Sequence, residues 1–591
     1  MSELTIVRAV DGPEPAGTRL RVAACQYGVG TDVDANLATA LRFVDAAAAE
    51  GARVVVLPEF GNHVSWYADR EHARRMAVTL DGPFVKALAD RAAEHRLWLM
   101  ANLTLAQDDG RTTGSNVLFS PAGEVVGTSD KQVLMGSERM HLDPAIANGP
   151  VLDTPVGRLG MYSCMDGVIN ETPRGLATRG AQVLLNSVNS FALDEATLHV
   201  PVRAPENRVW IVAANKVDAL IPPEAIEQVS QAVGVPVALL HGAGESQIVA
   251  PDGEVVAIAP RLGDAIVVAD IEVSRADDKR RPDGTDVMAA RRPSLYAALG
   301  AAPVGRQAPA GAAELPVAVV SLDVDGAAAT GPAAAAVRAA VLAGTRLVVL
   351  PELFCFDGGI VGSELGADEV EARTHAALTS LVDALHGTDG YAVTSLPGRL
   401  GDGVSHDAVL VGADGVLARQ PQLHASARHS GWVTAWGDHQ LVTPLDFGRL
   451  ALVVGDDALY PETFRLAVLA DADVVALPFS VLEAWETRTG LVERAAENRL
   501  NLVAATRPGA AGQSLIVDLP SEFTLWSSER AEPFTGVISY PELVLVPPGA
   551  GTTTALVHPA QAVNRMVSRG TDLVDGRPWA LLGETLLANS E

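Results

Sequence analysis

Short runs of β-branched and aliphatic residues alternate along this chain with longer Ala- and Arg-rich stretches. The runs Arg19–Ala24, Val54–Leu57, Trp98–Leu103, Asn116–Phe119, Leu159–Ser163, Val183–Asn186 and Trp210–Ala214 predict strands. Leu37–Glu50, Gly82–His95, Thr172–Gly180 and Val202–Val209 predict helices, the first with apolar residues at helical spacing. This alternation predicts an α/β fold. Several strands lack inside-outside alternation, as expected where both faces of a sheet are covered. In open α/β sheets, chemistry collects beyond the carboxyl ends of strands. That rule selects Glu59 and Cys164, each closing an apolar run.

The pattern is written twice. Gly51-Ala-Arg-Val-Val-Val-Leu-Pro-Glu59-Phe60 returns as Gly344-Thr-Arg-Leu-Val-Val-Leu-Pro-Glu352-Leu353, 293 positions later. Gly157-Arg158-Leu159 returns as Gly448-Arg449-Leu450, and Arg203-Ala-Pro-Glu206-Asn207-Arg208 as Arg494-Ala-Ala-Glu497-Asn498-Arg499, both 291 positions later. Gly284-Thr285-Asp286 returns as Gly570-Thr571-Asp572, followed in each case by an Arg-Pro pair (Arg292-Pro293, Arg577-Pro578). These ordered matches predict two tandem domains, 18–299 and 316–591, after an N-terminal arm at 1–17. Residues 300–315 are Ala-, Gly- and Pro-rich without a periodic apolar face, and read as a linker or as a surface arm packed on one domain.

Composition narrows the partners. With 72 acidic and 44 basic residues the formal net charge is −28, which argues against a nucleic-acid backbone or anionic lipid as partner. Early acids (Glu3, Asp11, Glu14) and no apolar core in the first residues argue against a signal peptide. Three cysteines (Cys25, Cys164, Cys355) cannot build a disulfide framework. The apolar runs are too short to span a membrane, so the expectation is a cytoplasmic protein with no membrane association. No CxxC or HExxH occurs, so no standard zinc pattern is present.

Taken singly, the chemically capable residues are ambiguous. Pro58 ends its strand and leaves Glu59 at the sheet rim, where apolar walls would make its carboxylate a base near neutral pH, or where it is a solvated loop acid. Cys164 is a candidate nucleophile or a small buried hydrophobe. Lys131, after the hairpin-like Pro121-Ala122-Gly123, is an oxyanion partner if held in a dry pocket and ordinary surface otherwise. Glu138-Arg139 reads alone as a solvated pair.

Together they change meaning. Leu-Pro-Glu59-Phe, Asn-Val-Leu-Phe-Ser-Pro-Ala-Gly leading to Lys131, Cys164-Met-Asp and Arg-Ala-Pro-Glu-Asn-Arg form an ordered constellation that resembles the nitrilase, or carbon-nitrogen hydrolase, superfamily. Ala-Ala-Cys-Gln26, Asp34-Ala-Asn36-Leu37 and Gly244-Glu-Ser246-Gln-Ile-Val-Ala-Pro-Asp-Gly253 are similar to the same family. The resemblance covers roughly residues 18 to 300, and more weakly 315 to about 585. It implies Glu59 as base, Cys164 as nucleophile, Lys131 as oxyanion partner and Glu138 as a second glutamate positioning substrate or water, with no cofactor or metal needed. It also implies an α-β-β-α sandwich whose domains pair, here as an internal pseudo-dimer, with further homo-oligomers possible in principle.

The second copy keeps Glu352 and Glu497-Asn498 but has Gly455 where Cys164 stands, Gln422 in the lysine region and about Ser430 opposite Glu138. Cys355 falls opposite Asn62 and is read as core. This copy is therefore expected to be inactive, a degenerate mate. His406, His424, His429 and His439 match no metal spacing. In many nitrilases proper the cysteine is followed by Trp-Glu; here Met165-Asp166 and, further on, Ile169-Asn170-Glu171 lie closer to the amidase and carbamoylase branches, without their Phe-Pro-Glu. The expected reaction is hydrolysis of a non-peptide C–N bond in a small linear carboxamide or N-carbamoyl compound, with water as second substrate. Nitrile hydrolysis, acyl transfer to an amine and a non-catalytic tandem scaffold are the alternatives. Residues 61–67 either line the substrate pocket or form a surface loop.

Overall fold

The computed structural model describes residues 4–9, 19–509, 511–525, 531–532 and 534–587. They form an α/β protein with four mixed sheets, plus a two-stranded ribbon. The chain divides into two compact units, the first made of residues 1–279, 522–539 and 566–588, the second of 280–521, 540–565 and 589–591.

Unit 1 contains a seven-stranded sheet ordered Thr5–Arg8, Ala265–Glu272, Arg19–Gln26, Val54–Val56, Trp98–Ala106, Thr112–Phe119 and Val125–Asp130. Its six-stranded sheet runs Val255–Ile258, Gln247–Val249, Trp210–Ala214, Val183–Ser187, Gly157–Ser163 and Val151–Thr154. Side-chain alternation assigns the layers. Val54 and Val56 join Leu159, Met161, Val183, Leu185 and Val212 in the core between the sheets. Val55 points the other way, into a second core with Phe43 and Val44 of the helix Val33–Ala49 and Val85 and Leu88 of Pro83–His95. The helices Glu171–Thr178 and Val200–Asn207 cover the second sheet. Continuous hydrophobic strands are what a doubly covered sheet requires, and the layering is that of an α-β-β-α sandwich.

Unit 2 repeats this plan with two six-stranded sheets, one centred on Tyr391–Leu400 and Leu347–Val349, the other on Val474–Pro478 and Asn501–Ala505. Val317, Val349, Leu450 and Val474 fill the space between them. Cys355 is buried in the outer core, as its position opposite Asn62 suggested.

The compact units do not break where the repeats do. Residues 280–299, read from sequence as the end of copy one, belong to unit 2, and so does the stretch 300–315. That stretch is a packed arm: Ala312 N–H donates to the Phe447 carbonyl at 2.8 Å, and Arg306 pairs with Asp473 at 2.7 Å. Conversely, the segments around Phe523, Phe534, Ile538, Val567 and Leu573 belong to unit 1 and pack with its Val133, Met165, Val168 and Ile169. The N-terminal arm also carries structure, since Thr5–Arg8 pairs in parallel with Ala265–Val268. Among the described residues, no helix is long and apolar enough to cross a membrane.

Candidate active site

Four elements of unit 1 deliver the four residues singled out in the sequence: Glu59 follows the strand Val54–Val56, Lys131 the strand Val125–Asp130 and Cys164 the strand Gly157–Ser163, while Glu138 sits in the helical turn Gly136–Met140. Phe60, next to Glu59, takes a left-handed φ of 51° that turns the chain sharply. Phe60 N–H donates to Asn102 Oδ1 at 2.9 Å, and Asn102 Nδ2 donates to Ser163 Oγ at 3.0 Å. This buried amide ties the glutamate turn to the residue before Cys164. Asn116 donates to the same hydroxyl at 2.9 Å. Gly114 leaves room for the Phe60 ring, which lies 2.8 Å from where a Cβ would stand.

Lys131 and Glu138 are buried rather than surface groups. Lys131 Nζ lies 2.9 Å from Glu59 Oε1 and 2.9 Å from Glu138 Oε1. Glu138 in turn accepts the Met135 N–H through Oε2 at 2.8 Å. Cys164 closes the strand Gly157–Ser163 with φ 45° and ψ −107°, a strained conformation for a residue with a Cβ. Its N–H donates to the Ser187 carbonyl at 2.9 Å and Asn186 Oδ1 at 3.2 Å.

Burial sets the resting protonation. It pushes the Glu59 carboxyl above the ordinary glutamate value; the Lys131 ammonium opposes this and Glu138 reinforces it. Burial alone would depress Lys131, but Glu138 and Glu59 hold it well above its ordinary value. Burial, then the Glu59 charge, pushes the Cys164 thiol well up. The arrangement is a neutral thiol beside a desolvated carboxylate base and a fixed ammonium. Such a set can transfer a proton as it attacks a carbonyl and can hold the oxyanion that forms.

Asp166, two residues after the cysteine, accepts from the N–H groups of Gln132 at 3.0 Å and Val133 at 2.8 Å. It thereby fixes the lysine loop against the cysteine turn. The repeated Arg203-Ala-Pro-Glu206 segment supplies a further brace. Arg203 pairs with Glu206 at 2.9 Å and donates to the carbonyls of Gly167 and Val168 at 2.6 and 3.0 Å. Thr571 accepts the Gly136 N–H at 2.8 Å and donates to the Leu134 carbonyl at 3.0 Å, next to Glu138. Sequence reading marked the Gly-Thr-Asp repeat but not this use of it. Asn102, Asn116 and Lys216 were missed, because a polar residue in or just after an apolar strand has no signature until a partner strand is placed beside it.

Residues 61–67 are largely buried. Asn62 accepts the Thr104 N–H at 2.8 Å, and the Tyr67 ring lies 5.2 Å from His63 and 5.0 Å from His141. Tyr67 and His141 both feel the Glu138 charge, so this loop borders the Glu138 side of the cluster.

The corresponding place in unit 2 is built differently. Gly455 repeats the left-handed backbone of Cys164, at φ 55°, but a Cβ there would lie 2.6 Å from Glu352 Oε1. Arg428, which no repeated motif marked, donates to both oxygens of Glu352 at 3.1 and 3.0 Å. Ser480 donates to the same carboxylate. Burial would raise the Glu352 carboxyl, but Arg428 and His429 hold it well below the glutamate range. Glu352, His406 and His429 place possible ligand atoms within 4.8 Å of one another. His406 spends its two nitrogens on Gln422 and Ser395, both at 2.9 Å. A cation would have to displace Arg428 and these bonds, so the donor set does not fit a metal.

Residues 21–281 match the family described as carbon-nitrogen hydrolase. Over 264 residues the chain is 27% identical to a nitrilase of Pyrococcus abyssi, covering 44% of this chain and 93% of that protein. It is 27% identical over 300 residues to N-carbamoylputrescine amidase of Solanum tuberosum, covering 47% and 94% respectively. An omega-amidase of Homo sapiens matches at 26% over 293 residues, covering 47% and 98%.

Proposed function

Residues 21–281 form a carbon-nitrogen hydrolase domain of the nitrilase superfamily, and from that premise we propose that unit 1 hydrolyses a small linear carboxamide or N-carbamoyl compound through Cys164. The observation that carries this reading is the buried Glu59–Lys131–Glu138 cluster, with both ion-pair distances at 2.9 Å, beside a strained cysteine at a strand end.

In the proposed cycle, Glu59 takes the thiol proton as Sγ attacks the carbonyl carbon. The C–S bond forms and the carbonyl electrons move to oxygen, where Lys131 holds the charge. As the C–N bond breaks, Glu59 returns the proton to the leaving nitrogen, and ammonia or an amine departs. Water, deprotonated by Glu59 and positioned by Glu138, then attacks the thioester and releases the acid and the thiol. The raised carboxyl of Glu59 suits both transfers, since a base near working pH accepts and returns a proton readily.

In the same reading unit 2 is catalytically inactive. Gly455 brings no nucleophile, and Glu352, held ionised by Arg428, is a poor base. Its role is that of an internal partner: the tandem chain replaces an assembly of separate subunits by an intramolecular one. The reciprocal assignment of 280–299 to unit 2 and of 522–539 and 566–588 to unit 1 supports this role.

The test is ammonia release from a panel of carboxamides, N-carbamoyl amino acids and nitriles, run beside Cys164→Ala, with intact-mass detection of an acyl adduct. Release on the amide or carbamoyl class, lost in the variant, is the expected result. Release that survives Cys164→Ala overturns the mechanism, and release confined to nitriles overturns the substrate class.

A further inference from the structure

Lys216 stands directly after Asn215, which follows the strand Trp210–Ala214. That strand and Gly157–Ser163 flank Val183–Ser187 in parallel, with Ala214 and Ser163 both registered on Ser187. Lys216 therefore leaves the same sheet end as Cys164, at nearly the same level. Its backbone is pinned: its N–H donates to Asn215 Oδ1 at 2.9 Å, and its carbonyl accepts the Gly244 N–H at 2.9 Å. The side chain runs to the Phe60 ring, with Nζ 5.8 Å from the centroid, while Lys131 Nζ lies 5.4 Å from that same centroid. The residue is fully buried, and its amine has no hydrogen-bond partner among the described residues.

Buried lysines with a purely structural role are paired, because an unpaired amine loses its hydration without replacement. The groups whose charges reach Lys216 are Glu59, Cys164, Lys131, Glu138 and His63, all of the site already described. Arg507 occupies the corresponding position of unit 2 and donates to the carbonyls of Leu353 and Phe356 at 2.8 and 2.9 Å. Unit 1 leaves this cation's donors unspent.

We infer that Lys216 is a substrate-binding residue whose ammonium holds an anionic group, a carboxylate on the acyl part of the substrate, while Cys164 attacks the amide carbon. The inference rests on the reading of Cys164 as nucleophile. Charge arithmetic supports it: Glu59 and Glu138 outnumber Lys131, so a carboxylate-bearing amide enters against a net negative cluster unless a second cation meets it. Burial, the dominant influence, pushes Lys216 down to about 7. An arriving carboxylate then draws a proton onto it, and the preference for anions weakens as pH rises above that value.

The test uses two alkylating agents of nearly equal size, iodoacetate and iodoacetamide, on the full chain, with carboxymethyl and carbamidomethyl Cys164 quantified by peptide mass. The ratio of the two rates cancels their intrinsic difference. In Lys216→Met the iodoacetate to iodoacetamide ratio is expected to fall at least roughly tenfold, the scale of one charge-assisted hydrogen bond, and in Lys216→Arg to recover. In the wild type the ratio falls as pH rises from 6 to 8, a change that Lys216→Met abolishes. A ratio unaltered by Lys216→Met overturns the inference alone, whereas a Cys164 that reacts with neither agent overturns the nucleophile reading and this one with it. Circular dichroism of each variant separates loss of fold from loss of selectivity.

Discussion

Asp166 Oδ1 accepts the Val133 N–H at 2.8 Å and so binds the lysine loop to the cysteine turn. The same bond recurs in unit 2, where Asp457 accepts from Leu423 and His424 at 2.7 and 2.9 Å, although Gly455 stands there in place of the cysteine. Its retention in both copies marks it as part of the scaffold. Asp166→Ala leaves the N–H groups of Gln132, Val133 and Ser163 without their acceptor and is expected to cost about 2–5 kcal/mol in urea unfolding. Amide hydrolysis falls with it, through displacement of Lys131. Asp166→Asn keeps the accepting oxygen and is expected to lose much less; equal losses in the two variants would contradict the account.

Glu59 acts in this mechanism only when ionised. Because its carboxyl is raised by burial, kcat/KM is expected to climb with pH through an apparent value above the ordinary 4.5 of glutamate. Glu59→Gln removes the base and is expected to lower kcat by about 10²- to 10⁴-fold. A pH–rate profile with its acid limb at or below the ordinary value would assign the proton transfer elsewhere.

Gly455→Cys restores the nucleophile type to unit 2 but not its function. The new Cβ stands 2.6 Å from Glu352 Oε1, on a backbone with φ 55°. The variant is expected to lose stability by about 1–3 kcal/mol, and placed on a Cys164→Ala background it shows no amide hydrolysis. Thermal melting and ammonia release decide it.

Residues 1–300 expressed alone lack Phe523, Phe534, Ile538, Val567 and Leu573, which complete the core behind Val133 and Met165. Each lost core side chain is worth about 2–5 kcal/mol. The fragment is expected to be aggregated or to lack a cooperative transition in calorimetry. A stable, fully active fragment would refute the role given to the second copy.

Lys216→Met probes stability as well as selectivity. A lysine lowered from 10.5 to about 7 binds its proton less readily in the folded chain than in the unfolded one. Its cost to the fold is complete below about 7 and fades as pH rises toward 10.5. The variant is therefore expected to melt above the wild type at pH 7, by a few kcal/mol, with the gap closing by pH 10. A gap that widens with pH would reverse the sign and the explanation.

The central strands and the helices that cover them were legible because both leave periodic traces. Val54 and Val56 face one core and Val55 the other, a pattern readable from three consecutive valines beside Pro58. Shorter edge strands such as Val151–Thr154 and Val255–Ile258 have only four residues, too few to show a period, and only pairing with a neighbour makes them strands.

By itself the sequence determined the repeated motifs, the α/β alternation and the order of Glu59, Lys131, Glu138 and Cys164, since each is a matter of residue type and spacing along one chain. It determined as well that the second copy has no cysteine where the first has Cys164. Tertiary structure decided what no spacing encodes. It turned Lys131 from a surface-like residue into a buried ammonium between two carboxylates, and it brought Arg428 onto Glu352. It bonded Thr571 to Gly136, two residues before Glu138 and more than four hundred positions away, and left the Lys216 amine without a hydrogen-bond partner among the described residues. These outcomes depend on desolvation and on contacts between distant segments, and both arise only once the sheets have closed over one another.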